Sequence, residues 1–113
     1  MPYYKIIKEN RSILIPAGDL DMPLPIFYKT ANEVLNYTFD WSNWLVLGDQ
    51  ILTTTFTVQS GLTNVSHAND TTFASIILSG GTTGTNYSVN CKIVTVNSLT
   101  AERNIQVNII SVK

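Results

Sequence analysis

Few residues in this chain could do chemistry. It holds one cysteine, Cys91, and one histidine, His67. A thiol nucleophile needs a basic partner that lowers its pKa, so these two would be the minimal pair. Their settings argue against it. Cys91 stands in the alternating run Tyr87-Ser88-Val89-Asn90-Cys91-Lys92-Ile93, where a free cysteine packs as a small buried hydrophobe. His67 stands in the polar stretch Asn64 to Asp70, as a solvated loop residue would. A lone cysteine forms no internal disulfide. Asp40 and Asp49 could be read as a glycosidase carboxylate pair. No cleft signal accompanies them, and both suit loop and turn positions. Zinc would need clustered histidine, cysteine and carboxylate ligands, and none are clustered. Gly80-Gly81-Thr82-Thr83-Gly84 is glycine-rich like a phosphate loop. A phosphate loop carries a lysine after its last glycine and opens a helix, whereas Thr85-Asn86-Tyr87 leads into a strand. Asn36, Asn64, Asn69 and Asn86 each open an Asn-x-Ser/Thr triplet, a product of the Asn/Ser/Thr-rich composition. The expectation is no enzyme, no catalytic residue, no metal and no cofactor.

The elements that hold these residues are strands. At 113 residues the chain fits one domain, and its 44% hydrophobic content supplies a core. Charged residues are only 13%, against about 25% in typical domains. Thr, Ser and Asn must therefore cover the polar faces. Threonine packs well on a pleated surface, while Ser, Thr and Asn compete with a helical backbone for hydrogen bonds. Period-two alternation runs through the last two-thirds. Leu35, Tyr37, Phe39 and Trp41 share one face. Ser42 to Leu47 reads as a further strand segment, closed by Gly48-Asp49. Ile51 to Val58 follows, with Leu52, Phe56 and Val58 on one side. Leu62 to Ser66 is short; Ala74, Ile76 and Leu78 share a face. Tyr87, Val89, Cys91 and Ile93, then Ile105, Val107 and Ile109, read as a long terminal hairpin. The expected core is Tyr37, Phe39, Trp41, Phe56, Ile76, Leu78, Tyr87, Val89, Cys91, Ile105 and Val107. Strands at this spacing indicate an all-β, immunoglobulin-like β-sandwich. Tyr87, at the start of the penultimate strand, suits a tyrosine corner, in which the hydroxyl bonds back to upstream backbone. Plain core packing is the alternative. Trp41 and Trp44 are three apart, so on a strand they face opposite ways. One is core and the other, taken as Trp44, is an exposed anchor or a sugar-stacking ring.

Residues 1–26 differ from the sandwich domain expected over 27–113. Tyr3 to Lys8 and Ile13 to Ile15 are short strand-like pieces, followed by Pro16, Pro23 and Pro25. Proline removes a backbone donor and interrupts pairing. The segment is either an extra edge hairpin or an N-terminal arm that completes a neighbour's sheet. Its apolar residues Tyr3, Tyr4, Ile6, Ile13 and Ile15, with Trp44, are the interface candidates. Thr30 to Leu35 reads as a loop entering the first core strand, with one helical turn capped by Thr30 and Glu33 as the alternative.

Net charge is −1 with seven scattered cations. Phosphate backbones are bound by many lysines and arginines, so direct contact with nucleic acid is not expected. No apolar run approaches the roughly 20 residues of a bilayer span, and residues 1–8 lack the pattern of a signal peptide. The chain is expected to be made in a reducing cytoplasm, with no membrane partner.

At Phe39-Asp40-Trp41-Ser42-Asn43-Trp44-Leu45 the sequence resembles a family of small tailed-bacteriophage proteins, the fiber-tail adaptors. The resemblance continues through Gly48-Asp49-Gln50-Ile51, Thr55-Phe56-Thr57-Val58 and Gly61-Leu62. It then takes in Leu78-Ser79-Gly80-Gly81-Thr82-Thr83-Gly84-Thr85-Asn86-Tyr87-Ser88-Val89-Asn90-Cys91 and Leu99 to Arg103. It runs from about Pro25 to the C-terminus. The family more often carries Trp where Phe56 stands, and the segment before Pro25 is not part of its pattern. The resemblance implies a non-enzymatic structural protein of the virion tail, a joint at the fiber or neck. Its partners would be other tail, neck or fiber proteins, with a homo-oligomeric ring as the natural arrangement. The alternative reading is an immunoglobulin-like module that recognises host-surface carbohydrate.

Overall fold

Alternation of apolar with hydroxyl or amide residues yields eight strands in the computed structural model, which describes residues 11–17 and 22–112. They are β1 (Ser12–Leu14), β2 (Ile26–Thr30), β3 (Leu35–Asp40), β4 (Ile51–Val58), β5 (Leu62–Asn69), β6 (Phe73–Gly80), β7 (Asn86–Thr95) and β8 (Thr100–Ile110). No helix forms among the described residues. The strands build two four-stranded sheets, ordered β1-β3-β6-β5 and β2-β8-β7-β4. From β3 onward the strand order is that of an immunoglobulin domain. One sheet holds the first, fourth and third of these six strands; the other holds the sixth, fifth and second. The fold is an all-β, immunoglobulin-like sandwich.

The inward faces follow the alternation. Tyr37, Phe39 and Trp41 are fully buried, as are Ile76, Leu78, Val89, Cys91, Ile105 and Val107; Tyr87 is 4% exposed. Phe56 is half-buried at the border of this cluster. Its ring lies 5.9 Å from that of Phe39, and Phe27 meets Tyr37 edge-on at 5.4 Å. Antiparallel register pairs Tyr37 with Ile76 and Tyr87 with Val107, which brings the large side chains of neighbouring strands onto one face.

Three segments differ from the expectation. The piece around Ile13 pairs within this chain's own sheet, whereas Tyr3 to Lys8, the other half of the expected hairpin or arm, lies outside the described residues. β1 runs parallel to β3 in one sheet, and β2 runs parallel to β8 in the other. Pro16, Pro23 and Pro25 lie on the crossing between the sheets, where no ladder donor is needed. Second, Ser42 to Leu47 is a turn, not a strand. The amides of Trp44 and Leu45 both donate to the Trp41 carbonyl, at 3.0 and 2.9 Å. That closure puts both indoles on one side, 5.5 Å apart and edge to face. Third, a bulge between Ile51 and Thr53 shifts the register against β7. The extra residue reverses the facing of the strand's first residues, so Ile51 is buried and Leu52 is exposed.

Candidate docking surface

The chemistry-bearing side chains do not converge. Cys91 is buried on β7, while His67 is exposed on the opposite sheet, on β5 and not in the expected loop, because that strand pairs with β6 through Asn69. Burial pushes the Cys91 thiol up to about 12, with the Trp41 indole beside it pulling weakly the other way. Such a thiol is not a nucleophile at neutral pH. The His67 ring packs edge-on against Phe56 at 5.7 Å, and its Nδ1 lies 3.0 Å from the Asn64 amide nitrogen. Asp40 accepts the Ser42 amide at 3.0 Å, which makes it a turn residue. Among the described residues no group of three or more His, Cys, Asp or Glu side chains is placed to hold a metal.

The glycine-rich loop is structural as well. Gly80, Gly81 and Gly84 all have positive φ, a region that side chains other than glycine resist. The Thr82 amide donates to the Tyr87 hydroxyl at 3.0 Å. This is a tyrosine corner, with the hydroxyl tied to backbone five residues upstream. Hydrogen bonds from Thr82, side chain and backbone, hold the Tyr87 phenol below its ordinary pKa. Lys29, on β2, is 1% exposed and was not marked by any sequence signal. Its Nζ donates to the carbonyls of Gly80 at 2.6 Å and Thr30 at 2.9 Å. The side chain thereby ties one sheet to the end of β6 in the other. Burial lowers its pKa, and the charge of Glu33 partly opposes this.

What the molecule offers to a partner is surface. The turn Val46 to Asp49 is closed by the Asp49 amide on the Val46 carbonyl at 3.0 Å. It is laced to the β7–β8 hairpin tip. The Val96 amide donates to the Gln50 carbonyl at 2.9 Å, and the Asn97 amide to Asp49 Oδ1 at 3.1 Å. This lacing brings the turn carrying Val46 and Leu47 and the hairpin tip carrying Val96 and Leu99 to one end of the sandwich, where Leu52 follows at the start of β4. All are exposed, and Leu47 is fully so. Scattered apolar residues on a surface are ordinary, but a gathered cluster marks an interaction site. Trp44 stands beside this end. It is half-buried against Trp41, over whose ring the Arg103 guanidinium also lies, at 5.8 Å.

The remaining interface candidates fall elsewhere. Ile13 and Ile15 are 6% and 0% exposed. Both are built into this chain's own core through the pairing of β1 with β3. A strand whose side chains alternate buries every second residue on its own sheet, and Leu14 between them is the exposed one. Tyr3, Tyr4 and Ile6 lie outside the described residues. The exposed cluster at the hairpin end was missed by sequence reasoning. Leu47, Val96 and Leu99 sit in turns, so no periodicity singles them out.

A protein-family model, podophage GP4 fiber-tail adaptor protein gp77, matches residues 29–108 of the 113-residue chain. The matched region starts at Lys29 and spans β3 to β7 in full, with most of β8. No curated protein matches the chain.

Proposed function

The chain belongs to the podophage GP4 fiber-tail adaptor family, whose members are structural tail proteins and not enzymes, and we propose that it acts as the joint between the tail and its fibers. Its partners on this reading are other virion tail proteins, and several copies stand side by side in a ring. The observation that carries it is the family match over residues 29–108, nearly all of the immunoglobulin-like core. The exposed apolar end formed by Val46, Leu47, Leu52, Val96 and Leu99 supports it. A joint needs a rigid module with a surface that a partner can desolvate at low cost. The few charges across the sandwich fit that need, because burying unpaired charge is expensive. β1 and β2 flank the matched core on one side of the sandwich, and the segment before them is the proposed docking arm.

Quantitative mass spectrometry of purified particles tests this reading. The chain is counted against the major capsid protein, for the natural sequence and for Leu47→Asp. A fixed, low copy number for the natural chain, with loss of the exposed-end variant from particles, is the expected result. Absence of the natural chain from particles would reject the joint.

A further inference from the structure

We infer that the free edge of β4, Thr53–Val58, receives residues Tyr3–Lys8 of a second copy of this chain as an added strand. The inference rests on the adaptor reading only in expecting several copies together.

Among the described residues β4 ends its sheet, with β7 as its one neighbour. Alternate residues of such a strand direct N–H and C=O groups away from the sheet. Proteins blunt these edges by shortness, proline, charge or a bulge. The other three edges here are blunted. β1 is three residues long and is followed by Ile15 and Pro16. β2 has five residues and is preceded by Pro23 and Pro25. β5 is broken by a bulge between Asn64 and Ser66. The β4 bulge lies at its start, so Thr53–Val58 keeps unbroken register with Val94 to Val89. These six residues, Thr-Thr-Thr-Phe-Thr-Val, hold no charge and no proline. Their inward side chains Thr54, Phe56 and Val58 are only half-buried. An added strand would pack its own inward side chains beside them.

The chain holds a segment of matching length. In Tyr3-Tyr4-Lys5-Ile6-Ile7-Lys8, Tyr4 and Ile6 would share one face of a strand. The same copy cannot deliver it. β1 and β5 are opposite edges of one sheet, and β4 lies beside β5, where Phe56 meets His67. From β1 to a new strand beside β4 is four strand spacings across and one sheet spacing through, about 20 Å even by a route through the core. From Lys8 to Ser12 the chain has four steps, at most about 14 Å fully extended. The donor leaves one flank and the acceptor lies on the other. The contact is therefore head-to-tail, the type that closes rings.

The test compares the full chain with a variant lacking residues 1–9 and with the double variant Thr53→Lys, Thr57→Lys, which charges the edge without touching the core. Light scattering gives the mass, and hydrogen exchange reads the amides of Thr53–Val58. The full chain is expected at a multiple of 12.5 kDa, with slow exchange at this edge. Both variants are expected to be monomeric, with the protection lost. A monomeric full chain, as pairing of the segment with its own β1 would give, overturns the inference. So does an oligomer whose Thr53–Val58 amides exchange as fast as in the truncated chain. Either result leaves the adaptor reading standing, since particle incorporation tests that separately.

Discussion

Two buried polar side chains, Tyr87 and Lys29, hold backbone groups near the end of β6. Tyr87 accepts the Thr82 amide at 3.0 Å. Tyr87→Phe keeps the ring and leaves that amide without its partner. A thermal melt should show a Tm lower by roughly 4–8 °C, the shift that loss of one such hydrogen bond produces in a domain of this size. Lys29 holds the Gly80 and Thr30 carbonyls. Lys29→Met keeps the length of the side chain but not the donors. Urea unfolding should show a loss of about 1–3 kcal/mol, the cost of leaving buried carbonyls unpaired. An unchanged midpoint would mean that water replaces the ammonium at no cost. The two residues were not equally legible. Tyr87 opens an alternating run and has a motif to stand on. Lys29 reads as an ordinary surface lysine between Tyr28 and Thr30, because its role depends on a carbonyl 51 residues away.

Turns, more than strands, decide how the elements meet. Gly81 has φ +98, and a Cβ there would lie 2.7 Å from the side chain of Ile109. Gly81→Ala should cost about 2 kcal/mol or more, since both the backbone angle and the packing oppose it. Chemical denaturation measures this. Asp49 staples the turn before β4 to the β7–β8 tip through the Asn97 amide, and also accepts the Gln50 amide within its own turn. Burial raises its pKa, but the Thr95 hydroxyl and the two amides outweigh this and hold it below the ordinary value. A carboxylate with a lowered folded pKa stabilises the fold fully above its unfolded value, and the effect is lost as pH falls through the folded one. Melting temperature should therefore fall more steeply below about pH 4 for the natural chain than for Asp49→Asn. Parallel slopes would show that the staple does not depend on charge. Alternation made β3, β6, β7 and β8 legible in the sequence, because each buries a run of alternate residues on one face. It failed at Ser42 to Leu47, where apolar residues fill a turn. It also failed at Leu52, where one inserted residue reverses the phase. Neither event leaves a periodic signal.

Across the whole molecule, the proposed adaptor role draws on surfaces and edges rather than on a cleft. The core is that of an immunoglobulin domain, and the lone cysteine and histidine are spent on packing. Among the described residues the sandwich has an exposed apolar end and one unblunted edge, on β4. The family was legible because its motifs fall on turns and on the strands that enter them, at Phe39 to Leu45 and Leu78 to Cys91. The proposed docking surface was not, because it is assembled from two turns far apart in sequence, joined only in the fold by the Val96 and Asn97 amides. The most direct measurement is electron microscopy of particles produced with and without this chain. The account predicts that particles made without it carry tails but no fibers, and that supplying the chain restores them. Particles that keep their full set of fibers without it would contradict the account.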